Sequence, residues 1–449
     1  MNKVIRIANG QGFWGDSIDA PVRLINDGPI DYLTLDYLAE VTLSIMQRQK
    51  LKRPDAGYAR DFVELIDRVL PDLVSKNIKV ISNAGGVNPE ACRDALLEIA
   101  KAKGIDIKIG IIKGDNIYNN LDKFIESGVD FKNLETGADF TTVKDKVYSA
   151  NVYIDSFCIA RALNEGAQIV LAGRVSDPGL ALGPAIHEFG WKPEQINLIA
   201  AGTLAGHIIE CGAQCTGGNY SRWHEVDDLV NIGYPIIEMQ DNGEFVITKH
   251  DATGGLVNRE TVSEQILYEM GDPTHYISPD VCVDFTSFDL VDLGNDRVQL
   301  SNVKGLEATP TYKVSISYFA GYKASGQLTI SGPNALKKAQ LVANLIWTRL
   351  ENAGCVYEDK LTEFLGLSSC HGNINKTPDQ VNEVVLRLGV RDGDKENVNR
   401  FGKEIAPVIT NGPPGVTGFS GGRPKAQEIV AYWPTLIPKN LIMTDVDVN

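Results

Sequence analysis

Met1-Asn2-Lys3-Val4-Ile5-Arg6-Ile7-Ala8-Asn9-Gly10-Gln11-Gly12-Phe13-Trp14-Gly15-Asp16 opens the chain, and its reading decides the fold. Val4 to Ala8 is apolar and β-prone, and it runs into a glycine loop. It therefore reads as a strand ending in a turn. Similar runs recur at 31–35, 78–82, 105–112 and 168–172, with helical periodicity at 37–48, 58–74, 88–102 and 149–165. Strands that alternate with helices and are apolar along their length belong in a parallel sheet covered on both faces. The reading is α/β: a doubly wound, mostly parallel sheet over residues 1–225.

The pattern changes near residue 235. Alternating segments follow at 236–239, 244–248, 281–293, 298–300 and 311–319, separated by turn signals such as Asp-Asn-Gly. One amphipathic helix spans 335–353, and a late strand spans 384–390. A mixed α+β second domain with hairpins and a long helix is expected over 226–449.

The 449 residues carry a net charge of −15, with 43% hydrophobic and 22% charged residues. That balance excludes nucleic acid and anionic membrane surfaces as partners, since both need a basic face. No apolar run reaches the roughly 18 residues of a membrane span. The start lacks the apolar core of a signal peptide. The seven cysteines include no Cys-x-x-Cys pair, so neither a disulfide framework nor a zinc knuckle is indicated. A cytoplasmic protein with reduced thiols is expected.

Each of the five early strands leads into a loop of Gly, Asn, Asp or Arg. The first contains Gly12, Trp14 and Asp16 in a G-x-G-x-x-G spacing. A dinucleotide cradle, a loop for another ligand and a structural turn all fit that spacing. The Phe13-Trp14 pair is unusual for a pyrophosphate cradle, and Asp31 and Asp36 both qualify as a ribose-binding acid. The later loops carry Asp36, then Asn83, Gly85 and Gly86, then Asp115, then Arg174 and Asp177. In an open parallel sheet such loops gather at one edge, where ligands bind. Arg174 is the cation among them, suited to clamp a carboxylate or phosphate.

Gly206-His207-Ile208-Ile209-Glu210-Cys211-Gly212-Ala213-Gln214-Cys215-Thr216-Gly217-Gly218-Asn219 concentrates reactive groups. If 205–211 is helical, His207, Glu210 and Cys211 share one face. They could form part of a metal site, an acid–base set with a thiol nucleophile, or a hydrogen-bonded helix end. Gln214, Thr216, Gly217, Gly218 and Asn219 follow them. Lys249-His250-Asp251-Ala252-Thr253-Gly254-Gly255 repeats the Thr-Gly-Gly pattern. Both loops could offer backbone N–H groups to an oxyanion, or be plain turns. Residues 412–418 with 421–423 make a third glycine-rich loop of this kind, or a lid or intersubunit loop.

Taken together, residues 9–16, 36–42, 83–86, 173–177, 206–219 and 253–257 resemble the acyclic terpene utilisation AtuA-like family over nearly the whole chain. The resemblance implies a role in degrading terpenoid acids as coenzyme A thioesters, alongside acyl-CoA carboxylases and hydratases. The family's His-Glu-Gly-Thr-Gly-Gly pattern has Asp251 and Ala252 here in place of Glu and Gly. A shorter acid there would alter substrate choice if it reaches the reacting carbon.

The combined reading is a catabolic enzyme acting on a small carboxylic acid or acyl-CoA thioester. A hydratase, dehydratase or other lyase would use His207 or Glu210 as base, Asp177 as acid and Arg174 as clamp. The alternatives are a thiol acyltransferase or thioesterase using Cys211 with His207, and a noncatalytic ligand-binding subunit. A divalent metal is compatible with the residues. The chain is expected to form a homo-oligomer, with a small partner subunit as a variant.

Overall fold

The structure is a computed structural model that describes residues 3–367, 369–372, 381–418 and 421–449, with the side chain of Glu40 left out. Met1 and Asn2, read above as leading into the first strand, lie outside the described residues. The chain forms two compact units. One comprises everything up to Ser317 together with Tyr432–Asn449, and the other is Tyr318–Ala431.

In the first unit the parallel core uses β1 (Val4–Gln11), β2 (Tyr32–Leu35), β3 (Lys79–Ser82) and β4 (Ile109–Lys113). β5 (Val147–Val152) stands outside this sheet, and β6 (Ile169–Leu171) inserts between β3 and β4. The pairings β1–β2, β2–β3, β3–β6 and β6–β4 are all parallel. These strands are short and buried along nearly their whole length, as a sheet covered on both sides requires.

The helices follow from apolar spacing. α1 (Ala20–Asp27), α2 (Glu40–Lys52), α3 (Arg60–Ser75) and α4 (Pro89–Lys103) come first, then α5 (Leu121–Glu126), α6 (Phe157–Asn164), α7 (Gly179–Phe189) and α8 (Ile196–Ile209). In α3, Phe62, Leu65, Ile66, Val69, Leu70 and Leu73 recur at helical spacing and are the buried residues. Deleting one such side chain, as in Leu70→Ala, would cost about 2–5 kcal/mol. α4 starts on Pro89 and stops at Gly104, whose φ of 66° is left-handed. α1 packs on α3 and α3 on α4, while α6, α7 and α8 form a second row against β1, β2, β4, β6 and β7 (Pro235–Gln240). The sheet is therefore doubly wound, as expected.

Two local readings are corrected. Residues 149–165 are not one helix: strand β5 occupies Val147–Val152 and α6 begins at Phe157. Val147, Tyr148 and Val152 favour strand, and the β5 residue Asn151 hydrogen-bonds Asp115. Nor does the sheet end near residue 225. β7 pairs antiparallel with β1, and β8 (Phe245–Lys249) pairs with β7. After β8 come β9 (Tyr276–Ile277), β10 (Cys282–Asp284), β11 (Asp289–Asp292), β12 (Val298–Ser301) and β13 (Lys304–Leu306). β12 and β11 extend the same edge, and Asp445–Val448 closes the other edge against β4. β9, β10 and β13 form a small separate sheet. The packing division thus falls at Ser317, because the hairpin strands after residue 235 are hydrogen-bonded into the first unit's sheet.

The chain enters the second unit along β14 (Thr311–Ser331). There β15 (Asp359–Leu365) and β16 (Glu383–Asp392) join it in antiparallel register. α9 (Ala335–Asn352) covers one face of this sheet with Ala339, Val342, Ala343, Ile346 and Leu350.

Candidate functional site

The loops after β1, β2, β3, β4 and β6 stand at one edge of the sheet, as parallel pairing dictates. Several are committed to internal contacts. The Gly12 amide donates to Asp16 at 3.0 Å, and Tyr234 donates its hydroxyl to the same carboxylate at 2.6 Å. A Cβ on Gly12 would lie 2.7 Å from the Cys211 carbonyl carbon, so close backbone approach requires glycine here. Trp14 donates its indole N–H to Asp61 at 3.0 Å. These contacts are those of a structural turn.

Asn83 bridges two loops. It accepts from the Tyr37 amide at 2.7 Å and donates to Asp36 Oδ1 at 2.8 Å. Burial drives the Asp36 pKa up, Asp177 pushes it further, and Arg174 opposes the rise. Gly85 and Gly86 face Pro89 and Met46 rather than open space. Asp115 is also buried. Its Oδ2 accepts from the Arg174 amide and from Asn151, both at 2.9 Å.

Arg174 is the buried cation of this edge, with 2% of its surface exposed. Its guanidinium donates to Asp177, to the Val175 carbonyl at 3.2 Å and to the Tyr153 hydroxyl at 3.1 Å. It also lies 4.2 Å from the Tyr153 ring centroid. Arg174 Nε and Ser176 Oγ are buried without a hydrogen-bond partner. Unsatisfied buried donors are costly and call for an explanation. Both residues line a chamber of about 260 Å³ together with Tyr153, Asp177, Tyr276 and Lys313.

α8 brings the His207 face beside this chamber. A Cβ on Gly206 would lie 2.4 Å from the Pro178 carbonyl oxygen, so the helix backbone rests directly on the Asp177–Gly179 turn. His207 is 2% exposed. Its Nδ1 lies 3.1 Å from Glu210 Oε1, and its Nε2 lies 3.3 Å from the Ile266 carbonyl oxygen. The rings of Tyr276 and Phe285 pack on it, each with its centroid 5.2 Å away. Burial alone would lower the His207 pKa, but the hydrogen bond and charge of Glu210 outweigh it, and the net direction is upward. Burial pushes Glu210 up to about 7, His207 opposes that, and Asp177 and Glu269 add to it. Glu210 Oε2 has no partner. The two groups therefore titrate together rather than independently.

Helix α8 ends at Ile209, so Cys211 lies beyond it, ahead of a short 3-10 turn at Gly212–Thr216. His207 and Glu210 meet at i,i+3 as expected, whereas the thiol is not carried by the helix. Burial, reinforced by Glu210, pushes the Cys211 thiol up to about 12. That leaves little thiolate at neutral pH. All seven cysteines are free.

The Thr-Gly-Gly loops do not offer open amides. Gly217 donates to Gln214 at 3.4 Å, Gly218 to Ala213 at 2.9 Å, Gly254 to Asn231 at 2.9 Å and Gly255 to Asp227 at 2.8 Å. The loops instead pack on each other, with the Leu256 amide donating to the Thr216 carbonyl at 2.7 Å. Thr216 and Thr253 donate their hydroxyls to the Gly233 and His250 carbonyls, both at 2.6 Å. Asn219 has a left-handed φ of 56°. Lys249 pairs with Asp296 at 2.9 Å and lines a separate polar cavity of about 420 Å³ with Asp251. Backbone approach, not oxyanion binding, accounts for these glycines.

The structure thus joins Arg174 to Asp177 and His207 to Glu210, with the charge of Asp177 felt at Glu210, and leaves Lys249 and Asp251 at a second cavity; neither His207 nor Glu210 lines the chamber itself. It adds Tyr153, Tyr276 and Lys313, which sit in no local motif, and Ser176, which lies within residues 173–177; only tertiary packing gathers them. Among the described residues, no three His, Cys, Asp or Glu side chains cluster as metal ligands would. Also among the described residues, no helix is long and apolar enough to cross a membrane.

The fold and site define an α/β protein with a partly open chamber, lined by both polar and apolar groups, at the carboxyl edge of a doubly wound sheet. The chain belongs to the acyclic terpene utilisation AtuA family, whose description, "Acyclic terpene utilisation family protein AtuA", matches residues 5–448. That membership places it broadly in catabolism. A search of curated proteins finds no match. Among solved structures, S. aureus homoserine dehydrogenase at pH 6.5 aligns with 93% of this chain and 84% of its own, at 8% identity and a TM-score of 0.13, which carries no argument.

Proposed function

We propose that the protein is a cytoplasmic catabolic enzyme that moves a proton next to the carbonyl of a small acid or acyl-CoA thioester. Hydration, dehydration or a related lyase step is the preferred reaction. The observation that carries this reading is a buried guanidinium with an unpartnered Nε lining the chamber, and a hydrogen-bonded His207–Glu210 pair on the helix that packs against the Asp177–Gly179 turn. Arg174 would hold the carboxylate or carbonyl oxygen, with Asp177 fixing the guanidinium. His207 with Glu210 would take or give the proton. A chamber of about 260 Å³ suits the acyl end of a substrate rather than a whole coenzyme A thioester. The high pKa of Cys211 weighs against the thiol-dependent alternative.

Exchange of substrate C–H for deuterium in heavy water tests the reading, across a panel of short branched and unsaturated acids and their thioesters. Wild type should exchange the position next to the carbonyl of at least one compound, and His207→Asn should not. Binding of a panel member with no exchange anywhere would favour a noncatalytic ligand-binding protein.

A further inference from the structure

The second unit carries a trough that plays no part in the chamber just described. Its volume is about 950 Å³, and Lys323, Arg391, Arg423 and Lys425 line it with one carboxylate, Asp359, while Lys360 borders it with its ammonium turned to Glu351 and Trp347 on the other face of the sheet. This is a local excess of cations in a chain of net charge −15.

The β-register makes the excess sharper. Lys323 on β14 stands directly opposite Arg391 on β16, and Arg391 stands opposite Asp359 on β15. Like charges directly opposite across strands are destabilising. Arg391 is offset by Asp359 at 2.6 Å and by Glu358 at 3.7 Å. Among the described residues, Lys323, Arg423 and Lys425 make no ion pair. The next row of the sheet is Ser325, Gly389 and Leu361, whose two small members open the trough floor. Gly421 and Gly422, both left-handed with φ of 87° and 76°, turn the chain so that Arg423 and Lys425 border the trough. This is part of the third glycine-rich loop, which the sequence leaves open between an anion-binding loop, a plain turn and a lid or intersubunit loop.

We propose that this trough binds a small organic polyanion carrying two or more phosphates, of the nucleoside diphosphate class. Several cations spread along one trough match charge spread over linked phosphates, and the arginines add planar, bidentate donors. The volume falls in the range of small-molecule sites. The acidic character of the whole chain disfavours a long nucleic acid, whose phosphates would extend past the trough.

Calorimetric titration of the full-length chain at low salt tests this, with ADP, inorganic pyrophosphate and adenosine as probes. ADP and pyrophosphate should bind, and adenosine should not. ADP tighter than pyrophosphate marks a nucleotide site, and equal affinity marks a site for the phosphates alone; both support the proposal. Lys323→Gln and Arg423→Gln replace exposed side chains, and each should weaken ADP by about 10- to 100-fold, the scale of one charged hydrogen bond. The proposal is overturned if neither phosphate binds, if both variants keep wild-type affinity, or if a single-stranded oligonucleotide binds more tightly than ADP.

Discussion

His207 Nδ1 lies 3.1 Å from Glu210 Oε1, and both side chains are buried. The other imidazole nitrogen faces the Ile266 carbonyl, which can only accept. The ring must donate at Nε2. Nδ1 then either donates to an ionised Glu210 or accepts from a protonated one. Both ring nitrogens are thus engaged within the protein, so exchange of a proton with a substrate would run through Glu210 Oε2, which has no partner, with His207 setting its charge.

Stability should report this arrangement through pH. Glu210 has its folded-state pKa raised, from 4.5 to about 7. Its contribution is full below the unfolded value and is lost as pH rises through the folded one. His207 is raised too and acts in the same sense. Tm of the wild type should fall as pH climbs from about 4.5 to 7 and beyond, and Glu210→Gln should flatten that fall. Equal slopes in a thermal-shift series would remove the pair from the explanation.

Arg174→Lys should cost stability as well as ligand binding. Lysine cannot reach Asp177, Val175 and Tyr153 together as the guanidinium does. Each loss should be about 1–3 kcal/mol, the scale of a hydrogen bond to a charged group. Denaturant unfolding and ligand titration read the two separately. A lysine variant that matches wild type in both would show that the guanidinium geometry is irrelevant.

Gly206→Ala should push α8 off the Asp177–Gly179 turn, since the new methyl would lie 2.4 Å from the Pro178 oxygen. Overpacking of this kind costs about 1–3 kcal/mol. Proton exchange should fall with it, because His207 rides on the same helix. Normal exchange in a destabilised variant would uncouple the helix position from the chemistry.

Native alkylation should reach Cys370 before Cys211. Cys370 is exposed, whereas Cys211 is partly buried with its thiol held near 12. Peptide mapping after brief iodoacetamide treatment at neutral pH gives the order. Cys211→Ser should then keep most of the activity, and near-total loss would restore the thiol mechanism.

Much of the sheet was readable because its strands are covered on both faces. Val80, Ile81, Ile109, Ile111, Val170 and Leu171 have to be apolar without alternation, and such runs stand out. β5 was misread because its buried Ser149, Ala150 and Asn151 give no apolar run and are placed by tertiary contacts. The extent of the first unit was hidden for a related reason: antiparallel pairing of β7 with β1 joins residues far apart in the chain. At the site, helical spacing alone foretold the His207–Glu210 contact. Glycine patterns misled at Gly217, Gly218, Gly254 and Gly255, because close packing and anion binding call for the same residue. Tyr276 has no local signature, and Ser176 lies inside residues 173–177 with nothing in the sequence to set it apart from its neighbours.

Nitrogen-15 NMR of histidine-labelled protein, titrated with pH in wild type and Glu210→Gln, tests the central claim most directly. His207 should titrate above the ordinary imidazole range in wild type. In the variant it should fall below that range, because burial then acts without the carboxylate. A His207 resonance that titrates at the same pH in both proteins would contradict a coupled His207–Glu210 pair.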